Sequence, residues 1–222
     1  MWADSYGCLE ALELAPAMSL APPLRPLSPD REPAHLLAQV RATWGGHSDL
    51  WIFGYASLIW RPEFESAEHR QARVHGWHRA LEMLSRINRG TPECPGLVFA
   101  LVAGGSCRGM VYRIARERVE DELPRLWARE MPNSVYDPRW LRCQTVQGPV
   151  TALAFTLSRE SPNYTGPLGD AQLVEVLRNA SGRYGTTLAY VLETAQALRA
   201  NGIRDSAIER IVTLARQHAL VG

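Results

Sequence analysis

The segment DLWIFGYASLIW, residues 49–60, is apolar on both sides of a Gly-Tyr-Ala-Ser turn, and no polar loop separates the two arms. Turns ordinarily lie at the surface, because their backbone N–H and C=O groups need water or a partner. Here both arms demand burial. Any fold that accepts this segment must bury the shoulders of the turn. Such a turn can aim successive N–H groups outward as an anion cradle, with the Ser57 hydroxyl as one more donor. That arrangement suits a substrate carboxylate or a developing oxyanion. The competing reading, the commoner one for this pattern, is a core strand that ends in an ordinary turn. Ser57 is a poor nucleophile candidate, because the second glycine of the G-x-S-x-G elbow is missing from GYASLIW.

The rest of the chain has to supply the walls around that turn. With 222 residues and 46% apolar content it can bury a sizeable core as one domain. Residues 1–33 carry Pro16, Pro22, Pro23, Pro26, Pro29 and Pro33 without a sustained period. This composition predicts an extended or disordered lead-in, with a single domain over residues 34–222. A short helix is expected from Ala34 to Thr43, then a strand into the turn. QARVHGWHRALEML reads as a loosely alternating strand, GLVFALVA and CRGMVYRIA as a hairpin across GGS, and RWLRCQTV and VTALAFTLS as a second hairpin at Gly148-Pro149. Helical spacing runs from Arg116 to Met131, then over Asp170–Ala180, Thr186–Ala200 and Ser206–Leu220. Strands first and helices after predict an α+β fold, with a curved or barrel-like, mostly antiparallel sheet and helices packed to one side.

Several function classes are disfavoured. Lys plus Arg total 24 against 23 Asp plus Glu, so the chain lacks the basic footprint of a nucleic-acid binder or a membrane-surface protein. No apolar run approaches the roughly 20 residues of a membrane helix, and the N-terminus lacks a basic leader. Cys8, Cys94, Cys107 and Cys143 form no C-x-x-C pair, which argues against zinc and for reduced thiols in the cytoplasm. The expected partner is a small molecule; nothing identifies a protein partner.

Glu130 is the candidate catalytic group. At about 100° per residue, Val119, Leu123, Leu126, Trp127 and Glu130 share one helix face, while Glu120, Asp121, Arg125 and Ala128 point elsewhere. A carboxylate on a core-facing stripe has its pKa raised toward the range useful to a general base. The competing reading is a side chain bent out to water beside Pro132, or an ion pair with Arg129. His75 and His78 lack a third ligand at metal spacing, and Gly104-Gly105 precedes no helix or phosphate-loop lysine. Arg86 and Arg89, in a Gly/Pro-rich loop, have the chemistry to hold a carboxylate, although exposed loop arginines are the commoner case.

WIFGYASLIWRPEF resembles the signature of the ChaC family of γ-glutamylcyclotransferases, usually GYGSLIW. RGTPECPGLVFAL, GGSCRGMVYRI, LWAREM, YDPRWL, SPNYTGPL and GIRD continue the likeness in family order, from about residue 50 to the end. The resemblance implies a γ-glutamylcyclotransferase-like fold with a small barrel-like β core and flanking and C-terminal helices. It implies glutathione as substrate, cleaved to 5-oxoproline and cysteinylglycine with no cofactor, no metal and no water consumed. It further implies Glu130 of the Arg129-Glu130 pair as the catalytic glutamate, and Gly54, Tyr55, Ala56, Ser57, Leu58 and Ile59 as the substrate-holding turn. Tyr136, and by a similar likeness Tyr190, would line the cavity, or else be core tyrosines.

Ala56 departs from the family's glycine, and a Cβ there costs roughly 1 kcal/mol if φ must be positive. Two alternatives stay open: a cyclotransferase for other γ-glutamyl amines, and a noncatalytic binding protein on the same fold.

Overall fold

The structure is a computed structural model and describes residues 31–221. The first thirty residues of the Pro-rich segment, and Cys8 with them, lie outside the described residues. Residues 31–33 do not belong to a loose lead-in. Arg31 is paired with Asp137 at 2.7 Å and donates to the Ser134 carbonyl at 2.8 Å, and the Pro33 carbonyl accepts from the Trp127 indole at 2.9 Å. Pro33 opens helix α1, Pro33–Trp44, where its missing N–H removes nothing. Gly45, at φ +74°, ends that helix in the left-handed conformation.

Five strands close into a barrel: β1 (Leu50–Gly54), β2 (Glu68–Ser85), β3 (Gly96–Ile114), β4 (Asp137–Thr145) and β5 (Gly148–Thr156), in the order β1-β3-β2-β4-β5. All neighbours are antiparallel except β5 and β1, whose parallel contact at Ile52 and Leu153 completes the ring. The expected α+β barrel-like core is therefore present. Leu50, Ile52, Phe53, Val111, Ile114, Leu153 and Phe155 are buried. The end of β5 is buried at every residue, since both of its faces are covered. On one side Trp127 of helix α3 (Val119–Glu130) meets Phe155, ring centre to ring centre, at 6.0 Å.

One hairpin differs from expectation. GLVFALVA and CRGMVYRIA do not fold back on each other; they are one strand, β3, that runs through Gly104 and Gly105. These two residues (φ +110° and +69°) face the single Gly76 (φ +80°), between the pairs His75–Ser106 and Trp77–Ala103. The result is a β-bulge, and the glycines that resemble a turn are what lets a long strand bend with the barrel. The true hairpin joins β2 to β3 through residues 86–95. The expected hairpin of β4 and β5 is present, paired from Asp137–Thr156 to Thr145–Gly148.

The remaining helices follow their caps. Helix α2 is the short Ser57–Trp60 segment after the turn, and α4 spans Asp170–Asn179. Thr186 caps α5 (Thr187–Ala200) by accepting from the Ala189 N–H, and Asp205 caps α6 (Ser206–Gln217) by accepting from Ala207 and Ile208. A two-residue ladder, β6 (Ser181–Gly182) with β7 (Gly185–Thr186), leads into α5. That helix lies against α2 and β3, with the Trp60 indole donating to the Thr194 hydroxyl at 3.2 Å. No helix among the described residues is long and apolar enough to cross a membrane.

Candidate active site

The turn sits at the end of β1, which pairs with strands on both sides. Its start needs glycine for space: a Cβ on Gly54 would stand 3.0 Å from the Tyr112 ring and 3.1 Å from the Leu58 Cβ. Ala56 has a negative φ, −144°, so the chain departs from the family glycine without entering the left-handed region. The Ile59 N–H returns to the Ala56 carbonyl at 2.8 Å, and Arg61 N–H to the Ser57 carbonyl at 2.8 Å. Among the described residues, no backbone or side-chain acceptor meets the Ala56 N–H, and Ser57 and Leu58 open helix α2, where the first N–H groups have no intrahelical acceptor. An amide left unpaired inside a protein is costly unless a ligand completes it.

The turn residues border a pocket whose empty space, open mouth included, is about 280 Å³ and which is lined by Tyr55, Ala56, Ser57, Leu58, Phe99, Glu130, Tyr136, Phe155 and Tyr190. Turn, end of α3, the loop after it, β3, β5 and α5 each contribute a wall. Glu130 is not bent out to water: its side chain is 13% exposed and faces the turn. Gly54 and Ile59, expected in the substrate-holding set, do not line this space; Ile59 is buried and its carbonyl accepts from Tyr112 at 3.4 Å. They shape the shoulders of the turn.

Burial pushes the Glu130 carboxyl above its ordinary range; the Arg129 guanidinium opposes this and the Glu63 carboxylate adds to it. Arg129 does more than pair with Glu130. Its Nε lies 3.1 Å from Glu130 Oε1, its Nη2 donates to the Ser57 hydroxyl at 3.2 Å, and its Nη1 reaches the Arg61 and Pro62 carbonyls and Glu63. One side chain thus ties the acid to the turn.

The aromatic wall is neutral. Burial, reinforced by Glu130 and Tyr190, holds Tyr55 and Tyr136 well above the ordinary tyrosine range. The Tyr55 hydroxyl donates to the Phe155 carbonyl at 3.0 Å. Tyr190 lines the cavity and also accepts the Phe99 N–H at 3.2 Å. The ladder explains that bond: Ala80 pairs with Ala100 and Met83 with Val98, so Phe99 sits alone opposite two β2 residues and its side chain is re-aimed. Phe99 and Phe155 carry no sequence signal as cavity residues, because each lies within an ordinary apolar strand.

Other candidates lie elsewhere. His75 is exposed, and the His78 ring nitrogen lies 2.9 Å from the Gly104 carbonyl. No cluster of His, Cys, Asp and Glu among the described residues has the geometry to hold a metal ion. Arg89, expected in an exposed loop, is buried: it donates to the Tyr184 carbonyl at 2.7 Å and lies 5.2 Å over the Tyr190 ring. Arg86 bonds Asn163 at 2.8 Å.

Comparison with known proteins gives a consistent result. The family model for ChaC-like proteins matches residues 50–218. The glutathione-specific γ-glutamylcyclotransferase of Escherichia coli is 33% identical over 79% of this chain and 77% of its own length. Glutathione-specific γ-glutamylcyclotransferase 1 of Homo sapiens is 30% identical over 83% of this chain and 84% of its own. A crystal structure of a glutathione-specific γ-glutamyl cyclotransferase from yeast superposes with a TM-score of 0.68 at 18% identity, covering 77% of this chain and 97% of that one, which shows a shared fold.

Proposed function

Because the chain belongs to the ChaC-like family, we propose that it cleaves glutathione to 5-oxoproline and cysteinylglycine, with Glu130 carrying the protons. One observation carries the reading: a buried carboxyl and the turn residues Ala56, Ser57 and Leu58 border the same pocket.

In the γ-glutamyl group the α-amine and the γ-carbonyl carbon belong to one molecule, and holding the chain folded brings them to attack distance without a second reactant. The amine nitrogen bonds to the γ-carbon, a tetrahedral oxyanion forms, and the bond to the cysteinyl nitrogen breaks. The α-ammonium becomes a lactam N–H and loses two protons; the departing amide nitrogen becomes an ammonium and gains two. Water is not consumed, and a carboxylate that takes and returns protons suffices. Glu130 is suited to that work because burial makes it a stronger base than an ordinary glutamate. The turn amides, with Ser57 held by Arg129, receive the α-carboxylate or the oxyanion. Tyr136 and Tyr190 close the cavity as neutral walls. No side chain is covalently modified, and the chemistry asks for no metal or cofactor.

From Arg31 onward the chain acts as the catalytic domain in this reading. The cytoplasm is the proposed setting, in keeping with the free cysteines among the described residues, Cys94, Cys107 and Cys143.

The test is 5-oxoproline release from glutathione by the parent and by Glu130→Gln, with γ-glutamyl-lysine and γ-glutamyl-alanine as comparison substrates. The parent should turn over glutathione, and the variant should lose about 10²–10⁴-fold in kcat. Turnover of the comparison compounds alone would replace glutathione with another γ-glutamyl amine. Release from none of them would favour a binding protein.

A further inference from the structure

A second buried charge lies directly behind the turn. Arg79, on β2, is 5% exposed, and its guanidinium has partners on three sides. Nε donates to the Tyr55 carbonyl at 2.5 Å, Nη2 to the Arg108 carbonyl at 2.6 Å, and Nη1 is paired with Asp205. Asp205 is itself fixed, since its other oxygen accepts the Ala207 and Ile208 amides at the start of α6 at 3.1 and 3.2 Å. A guanidinium is tolerated inside a protein only where charge and hydrogen bonds are both answered. The Tyr55 carbonyl is thus drawn firmly to the rear.

From this arrangement we infer that Arg79 is the positioning residue of the turn: by holding the Tyr55 carbonyl, it aims the Ala56 N–H into the cavity before substrate arrives. The 55–56 peptide is trans, so its N–H points opposite to its C=O. Arg79 and Asp205 line a second, open pocket of about 660 Å³, its mouth included, which shares Phe99 with the first, whereas Ala56 lines the pocket that holds Glu130. Fixing the carbonyl on one side therefore fixes the amide on the other. A cation on the carbonyl also polarises the peptide and makes its N–H a stronger donor. The role rests on the proposed use of the turn as an anion cradle, and it assigns to Arg79, which touches no substrate, the pre-orientation that such a donor requires.

The experiment uses the full chain as parent, Arg79→Lys, Arg79→Ala, Asp205→Asn and Glu130→Gln. Circular dichroism first establishes which variants fold. Amide hydrogen exchange then reads the hydrogen-bonded Ile59 and Arg61 N–H groups that close the turn, independently of activity, and 5-oxoproline release from glutathione gives kcat and KM per folded molecule. Arg79→Lys retains the charge but cannot span all of the acceptors. In it, exchange at the turn should rise at least about tenfold with the barrel strands unchanged. Its kcat should fall by about 10²-fold, the effect of weakening one oxyanion donor. Asp205→Asn should move both readings the same way by less. Millimolar guanidinium, entering by the second pocket, should restore part of the Arg79→Ala rate, and ammonium should not; Glu130→Gln should respond to neither. Should Arg79→Ala fail to fold, the lysine and asparagine variants decide. Turn exchange and kcat in Arg79→Lys within threefold of the parent would overturn the inference. If the parent releases no 5-oxoproline, the functional reading falls instead, and unchanged exchange at the turn would still refute the positioning role.

Discussion

At Glu130, burial, an adjacent cation and a nearby anion compete, and the balance leaves the carboxyl above its ordinary range. A general base must be deprotonated, so activity is lost as pH falls through that raised value, and the acid limb of kcat/KM should lie above the 4.5 of an ordinary glutamate. Replacing Arg129 by Met removes the influence that lowers the value, so the limb should move to higher pH. Glu63→Gln should move it to lower pH, both by removing an anion and by leaving Arg129 to face Glu130. A pH profile of kcat/KM for the parent and both variants checks the two signs. Glu130 could be picked out beforehand because a charged residue broke an apolar helical stripe. Arg129 could not, because its reach to Ser57 and to residues 61–63 depends on where the chain after the turn passes α3, and no local pattern encodes that.

Helices and the β4–β5 hairpin were legible because their signals are local: apolar spacing along the helices and a turn at Gly148-Pro149. The β2–β3 pair was not. Gly104-Gly105 carries the composition of a turn and serves as a bulge, and only the facing strand, with Gly76 at the matching place, distinguishes the two. The real connection is packed backbone to backbone. A Cβ on Gly96 would stand 2.0 Å from the Arg89 carbonyl and 2.5 Å from the Thr187 hydroxyl, and a Cβ on Gly90 would stand 2.0 Å from the Gly96 nitrogen. Neither backbone can retreat without breaking the hairpin. Gly96→Ala should therefore cost at least about 1–3 kcal/mol, the range for overpacking a core, measured by urea unfolding.

Across the whole molecule the site exists only when barrel and C-terminal helices are joined. Arg89 is one of the joints: from the β2–β3 connection it holds the Tyr184 carbonyl ahead of α5 and stacks on Tyr190 within it. Arg89→Met would keep the bulk and leave that carbonyl unanswered, so stability should fall by about 1–3 kcal/mol with an unchanged urea m-value. The parallel closure of β5 onto β1 had no counterpart in the sequence pattern, because β5 is a plain apolar run that gives no hint of its neighbour. Nor did the identity of Phe99 and Phe155 as walls, which follows from closure.

The cavity presents an acid on one side and hydrogen-bond donors on the other, so it has two poles a short distance apart. Inhibitors should be built accordingly. A compact zwitterion, cationic at one end and carrying an anionic mimic of the tetrahedral centre at the other, would satisfy both poles. A singly charged analogue of equal size would forfeit one of them, and with it most of its affinity.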